Sequence, residues 1–368
     1  MNNNYDFWQK YLKLVKKELK KLCHEKDELH IDLHMHSNYS ADGKQSVSQL
    51  IENTKNKGFD VIAITDHDTL DAYDELFNIV KNGLTNPIII PGIEFTMDNR
   101  KYGGQCHMLE LFINPKDKTL MSQVDKNKKA MFNRSRIQFK RLKENITIAN
   151  ITKENKIKIS YEDYLKYLEI NNLIPEYDTL CFYLIDKFKT KNITTFEILE
   201  RLEKDNELDC YEDRKQFKAR RYKKLRGKYE QTAKNNYNSR FLLSMLAVRE
   251  VDDDWWDKPS SGSLSVNSYG QLKIEELTNN YKIFFAHPEE KKLTIVREII
   301  NKNPRIIGAE KNIRSDYEDR QNFDNLINDL SLLKVIGSDS HDNSGEFYED
   351  MDFYLISNED MLDVINNC

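Results

Sequence analysis

The sequence predicts an α/β fold: a ring of strands alternating with helices, interrupted by a large helical insertion. Three observations carry this. Short β-branched or aromatic runs alternate with helical periods over residues 30–115 and again over 280–345, the mark of parallel βα units. Five of these runs end in histidine or acid: IDLHMHS at 31–37, IAITDHD at 62–68, IIIPGIEFT at 88–96, IFFAHP at 283–288 and VIGSDSHD at 335–342. Between the two stretches, residues 116–250 hold no strong strand signal and are rich in Lys, Glu, Asn, Leu and Tyr at helical spacing.

The elements follow in order. Residues 5–28 read as a helix, with Phe7, Tyr11, Leu12, Val15, Leu19 and Leu22 on one face and lysines between them. A helix lying on its own barrel explains that face better than a membrane-seeking segment. Ile31–Leu33 begins the first strand. Val47–Lys57 is a helix with Ser46 or Ser48 as cap and Gly58 as stop. Asp60–Thr65 is a strand and Leu70–Asn82 a helix. Ile88–Ile90 is a strand ending at Glu94, and Met108–Ile113 a fourth strand entered through His107. The insertion is read as helices over Ser122–Asn145, Ser160–Leu168, Pro175–Phe188, Phe196–Lys204 and Arg214–Val251, with a return linker at 252–262. A helix at Leu272–Leu277 leads back to the alternating pattern: strand Lys282–Ala286, helix Leu293–Asn301, strand Arg305–Ala309, helix Asp319–Leu332, strand Lys334–Gly337 and a closing helix at Met361–Asn366. The expected division is an N-terminal helix at 1–29, barrel at 30–115, insertion at 116–270 and barrel again at 271–368.

Composition narrows the class. Fifty-six basic and 61 acidic residues give a net charge of −5, which does not suggest a generic polyanion binder. Five scattered cysteines without CxxC spacing fit reduced thiols in a cytoplasmic protein. The polar N-terminus carries no signal-peptide pattern, and the apolar run at 241–248 is too short to span a bilayer. Nine Lys/Arg residues between Arg214 and Lys228, interleaved with Phe217 and Tyr222, admit a nucleic-acid contact. A solvated helix face is the blander explanation, and charge runs usually are that.

The chemistry concentrates in histidine. Only eight are present, and six of them (His34, His36, His67, His107, His287 and His341) lie in or beside the β-like runs. Side chains two apart on a strand face one side, so His34 and His36 can reach one point. Active sites of parallel α/β folds lie at the carboxyl ends of the strands. Imidazole and carboxylate without cysteine suit Zn, Mn or Fe. The candidate metal ligands are His34, His36, Asp42, His67, Glu94, His107, His287, Asp339 and His341. Nine are too many for one ion, so two or three divalent ions are expected, with Glu94 able to bridge because a carboxylate has two oxygens. Of the nearby acids, Asp32 is read as a buried structural residue, Asp66 as an acceptor orienting a ligand histidine, and Asp68 as a cap for the following helix.

These motifs resemble the PHP (polymerase and histidinol phosphatase) family. The match runs through DLHMHS at 32–37, TDHD at 65–68, His107 after Glu94, AHP at 286–288 and GSDSH at 337–341. The resemblance implies a distorted (β/α)7 barrel with a trinuclear site at the strand ends. Carried over by motif, one ion falls to His34, His36, Glu94 and Asp339, a second to Glu94, His107 and His287, and a third to Asp42, His67 and His341. The motif order is similar to single-chain phosphoesterases of the family that act on nucleotides and on short RNA or DNA ends. It implies that Arg134, on a helix after the fourth strand, holds a substrate phosphate. Two departures stand out: HSNYSADG has one residue more before Asp42 than the usual pattern, and Glu289 and Glu290 follow AHP where a basic residue is common.

The functional expectation is a metal-dependent phosphoesterase, phosphatase or exonuclease, in which a metal-bound hydroxide attacks phosphorus. No side-chain nucleophile is then required. His287 or His341 would serve the leaving group only if uncommitted to metal. The expected substrate is a nucleotide or a nucleic-acid end, and the insertion offers a surface for a protein partner. The alternative is a non-catalytic or partner-dependent PHP module serving a nucleic-acid-processing ATPase or polymerase.

Overall fold

A computed structural model of the chain describes residues 3–40, 43–99, 104–144, 146–171, 173, 175, 177–206, 216, 219–220, 223, 226–227, 272–277, 280–312, 320–341 and 351–368. The chain forms two compact units, one of residues 1–128 and 270–368, the other of 129–269.

The first unit is built on an eight-stranded sheet: β1 (Glu28–Met35), β2 (Val61–Ile64), β3 (Ile88–Asn99), β4 (Gly104–Leu111), β5 (Ile283–Phe285), β6 (Ile306–Asn312), β7 (Leu333–Gly337) and β8 (Leu355–Ser357). The strand order is β7-β6-β5-β4-β3-β2-β1-β8. The sheet curls into a nearly closed barrel because the end of β7 returns to β1. The Asp339 N–H donates to His34 O at 2.8 Å and the His36 N–H to Ser340 O at 3.0 Å. Asp32 staples the same seam, accepting from Ser338 N at 2.9 Å and Ser338 Oγ at 2.6 Å. It has the buried structural role read from sequence, and burial pushes its carboxyl up to about 6. The short β8 pairs antiparallel with the start of β1, from Glu28 to His30, and lies outside the strands read from sequence.

One expectation needs correcting. β3 and β4 are not successive parallel βα strands but an antiparallel hairpin in register from Gly92↔Leu111 to Asn99↔Gly104, and β4 runs antiparallel to β5 as well. Both strands reach well past the apolar runs that signalled them, leaving four residues between Asn99 and Gly104. A parallel crossover needs a dozen or more.

Helices α1 (Asn3–Glu25), α2 (Val47–Lys57) and α3 (Ala72–Val80) belong to this unit, as do the later α9 (Leu293–Lys302), α10 (Arg320–Leu330) and α11 (Asn358–Asn367). α1 buries Trp8, Tyr11, Leu12, Val15, Leu19 and Cys23 in the core of the first unit, and the Tyr11 hydroxyl donates to Ile89 O at 2.9 Å. Its apolar face is therefore spent on its own barrel. α2 starts in a reciprocal Ser46–Gln49 capping box and stops at Gly58 in the left-handed conformation, φ 85°. Residues Ile274–Glu276 form a single 3-10 turn in place of the expected helix.

The boundary between the units falls within α4 (Lys118–Glu144). The second unit continues with α5 (Ile146–Glu154), α6 (Tyr161–Ile170), α7 (Tyr177–Lys189) and α8 (Thr195–Asn206), which close on a core of their own around Tyr164, Tyr183, Phe188 and Leu199. α5 was not read from sequence. Most of the Arg214–Val251 stretch and all of 252–262 lie outside the described residues. Of the basic run, Arg226 is engaged by Glu203, its Nε donating to Glu203 Oε1 at 3.2 Å, and it stacks over Phe196. Among the described residues no helix is long and apolar enough to cross a membrane.

Candidate metal centre

Eight of the nine candidate ligands lie among the described residues, and all eight meet at one end of the barrel. Asp42 lies outside them. The seat of each follows from the strands. His34 is on β1 and His36 just past it, where the β1–β2 pairing slips by a residue between Asp32 and Met35. Such a bulge re-aims side chains at a rim. His67 follows β2 and bridges to Glu94 on β3. His107 comes from the hairpin partner β4. His287 follows β5 with φ 28°, and Asp339 follows β7 with φ 53°. Non-glycine residues held at positive φ cluster at functional sites.

Glu94 is the hub. It is fully buried. Its Oε2 lies 2.9 Å from His34 Nε2, 3.2 Å from His36 Nε2 and 3.0 Å from His67 Nδ1. Its Oε1 lies 3.0 Å from His107 Nδ1 and 3.1 Å from His287 Nε2. Despite those three neighbours, Oε2 has no hydrogen-bond partner. Asp339 adds a second carboxylate, its Oδ1 3.1 Å from His36 Nε2 and 3.5 Å from His341 Nε2. Three groups of donors have atoms within 4.8 Å of one another: His34–His36–Glu94–Asp339, His67–Glu94–His107 and His36–His67–His341. The first coincides with the ligand set carried over by motif. In the third, His36 stands beside His67 and His341. His107 and His287 also converge, with His107 Nδ1 and His287 Nε2 3.2 Å apart.

Electrostatics fit a cation site. Burial alone would raise the Glu94 pKa, but the imidazoles of His34, His67 and His107 hold it well below the usual carboxylate range. Asp339 is likewise held low against burial by His36, His34 and His287. Both acids are thus anionic acceptors. His34 Nε2 and His36 Nε2 face each other at 3.0 Å, and two ring nitrogens so placed share a cation more naturally than a proton. The donor set is mixed imidazole and carboxylate, the choice of Zn, Mn and Fe sites. The residues present fit divalent metal.

The surrounding shell was only partly anticipated. Asp66 accepts from Ser37 N at 2.5 Å and Ser37 Oγ at 2.6 Å, pinning the loop after His36. Behind the imidazoles stand Ser40, whose Oγ lies 3.3 Å from His36 Nδ1, and Glu310, both oxygens of which lie 3.0 Å from His34 Nδ1. Asp68 does not cap a helix: α3 starts after Asp71 without a side-chain cap bond. Asp68 Oδ1 accepts from Thr96 N at 3.1 Å and Asn127 Nδ2 at 2.6 Å. Glu310 escaped the sequence reading, although IIGAEKN at 306–312 shows the same signature of an apolar run ending in an acid. Arg134 is buried in the second unit, on α4.

Imidazoles and carboxylates converging at the strand ends of an α/β barrel define a metal-dependent hydrolase. The PHP domain family model matches residues 32–202 of the chain. No curated protein matches it. Among solved structures it is similar to a protein of Bifidobacterium adolescentis assigned as a metal-dependent phosphoesterase, at 16% identity over 85% of this chain and 87% of that one, with a TM-score of 0.50. At that identity the likeness is one of fold. An amidohydrolase from Chromobacterium violaceum with bound sulfate and no metal is similar at 15% identity over 89% of this chain and 98% of that one, with a TM-score of 0.47.

Proposed function

We propose that the protein is a phosphoesterase that hydrolyses phosphate esters of nucleotides or nucleic-acid ends at a centre of two or three Mn, Zn or Fe ions. The observation that carries it is Glu94: one buried carboxylate with imidazoles on both oxygens, three at Oε2 and two at Oε1. That is the arrangement of a bridge between ions. His34, His36, Glu94 and Asp339 would hold one ion, Glu94, His107 and His287 a second, and His67, His341 and Asp42 a third. When bound, such ions activate water at neutral pH and neutralise phosphoryl oxygens.

The chain's own residues set the direction of approach. His34, His36 and Glu94 are sealed from solvent, whereas the side chains of His107 and His287 are 23% and 30% exposed and those of His341 and Asp339 are 18% and 16%. Substrate therefore enters over His107, His287, His341 and Asp339. His287 and His341 stand on that rim, and either would serve the leaving oxygen only if not committed to metal. The assignment of Arg134 to a substrate phosphate rests on the family resemblance alone, and Arg134→Ala tests it: the expected effect is a raised KM.

The deciding experiment is release from p-nitrophenyl phosphate and bis(p-nitrophenyl) phosphate with Mn²⁺ and then with chelator. The expected result is Mn-dependent turnover of at least one ester, lost in His34→Ala, and the preferred ester separates phosphatase from nuclease. Turnover that survives both chelator and His34→Ala overturns the reading. A metal-loaded protein inert towards both esters favours the partner-dependent module.

A further inference from the structure

Glu310 lies behind the metal centre and not in it. It sits on β6, the strand to which the motifs assign no ligand, and is fully buried. A buried carboxylate is costly unless satisfied, and this one is satisfied from three sides. Both its oxygens lie 3.0 Å from His34 Nδ1. The His287 N–H donates to Oε2 at 2.7 Å, and Asn312 Nδ2 donates to Oε1 at 3.1 Å. The opposite wall is Gly337. A Cβ there would stand 2.2 Å from Glu310 Oε1 and 2.4 Å from His34 Cβ, so only glycine lets carboxylate and ring meet.

We propose that Glu310 is a positioning residue that fixes His34 in its Nδ1–H tautomer and ties it to the turn carrying His287. A carboxylate on Nδ1 requires a proton there, which leaves the Nε2 lone pair for the centre. That nitrogen is the one 2.9 Å from Glu94 Oε2 and 3.0 Å from His36 Nε2. Carboxylates behind ligating histidines set ring orientation and raise basicity. Here the same carboxylate also holds the backbone of a second ligand residue, His287, at its unusual φ of 28°. The two ligands belong to different ions in the proposed assignment, so one residue couples both sites. This inference rests on the metal reading above.

The test uses the full-length protein and zinc alone. Nitrogen-15 spectra of histidine-labelled wild type with Zn²⁺ bound should show His34 protonated at Nδ1 and metal-shifted at Nε2. The opposite tautomer overturns the proposal without any variant having to fold. Glu310→Gln should weaken Zn²⁺ binding by about 10- to 100-fold in a chelator competition, the usual range for such partners, with Glu310→Asp recovering part of it. A double-mutant cycle separates positioning from bulk structure: in a His34→Ala background the Glu310→Gln effect should largely vanish. Unchanged zinc affinity in Glu310→Gln, or an equal loss with and without His34, sinks the idea. A wild type that binds no zinc, manganese or iron at all would instead defeat the metal reading itself.

Discussion

At the scale of single residues, the candidate ligands were the legible part and most of their supports were not. Histidine is rare here, so six falling at strand ends was a signal in itself. Ser40 gave none, and Glu310 gave only an apolar run ending in an acid, because acids and serines are common and their meaning depends on a partner far away in sequence. Glu110 on β4 is the clearest such case. It is fully buried, and neither carboxylate oxygen has a hydrogen-bond partner. Burial pushes its pKa from the usual 4.5 to about 8, with nearby Arg305 opposing and Asp117 assisting. The sign of the consequence is fixed. Near pH 4 the group is protonated folded and unfolded, so burial of its charge costs nothing. As pH rises through the unfolded value, the unfolded chain ionises first and stability falls until the folded carboxyl titrates near pH 8. The loss is on the order of 5 kcal/mol at about 1.4 kcal/mol per pKa unit. Glu110→Gln should match wild type in urea midpoint near pH 4 and exceed it progressively towards pH 8. A constant offset across that range would mean Glu110 is ionised in the folded protein.

At the scale of elements, periodicity served well wherever one face alone is buried. α1 and α2 declared themselves through apolar spacing and, for α2, through the Gly58 stop and a cap at Ser46 or Ser48, of which Ser46 is the one used. Strand direction was harder. The run ending at Glu94 gave no sign that the strand continues through Asn99, and the start of β4 at Gly104 is masked by glycines. Had both strands been extended, the four-residue gap would have required a hairpin. The hairpin matters to the site, since it brings His107 opposite Thr96 and beside the Glu94 strand. β8 is three residues long, too short for any pattern. α1 also yields a quantitative expectation. Trp8 is completely buried, edge-on to Phe7 at 5.3 Å, to Tyr11 at 5.4 Å and to Tyr73 at 5.5 Å between ring centroids. Tyr73 in turn bonds Gly92 O at 2.6 Å under β3. Trp8→Ala should therefore cost about 3–5 kcal/mol, read as a lowered urea midpoint. A cost below about 1 kcal/mol would mean that α1 is not integral to the barrel.

At the scale of the whole chain, the two units differ in how each earns its stability. The core of the first draws on residues from Trp8 to Val124 and from Leu272 to Ile365, and that of the second on residues from Phe139 to Leu202. Among the described residues no core residue is shared between those clusters. The two ends of the first unit that flank the second meet directly: Asn127 Oδ1 accepts from Leu272 N at 2.9 Å, while Asn127 Nδ2 donates to Asp68 Oδ1 at 2.6 Å and to Thr96 O at 3.1 Å. The chain thus leaves and re-enters the barrel at almost one point, where a short loop closes at little entropic cost. The start of α4 is also held without the second unit, through buried Leu120 and Val124. Replacing residues 129–269 by a short Gly/Ser linker should therefore leave a barrel that unfolds in one cooperative transition and binds the same number of Zn²⁺ ions as the full chain, since all eight described candidate ligands lie outside the excised stretch. Activity on a small ester such as p-nitrophenyl phosphate should survive, whereas any preference for nucleotides or nucleic-acid ends that depends on Arg134 or the basic run should be lost. If the excised protein aggregates or melts without cooperativity, the barrel depends on the helical unit for its fold; if it folds but binds fewer ions, residues within 129–269 complete the metal centre.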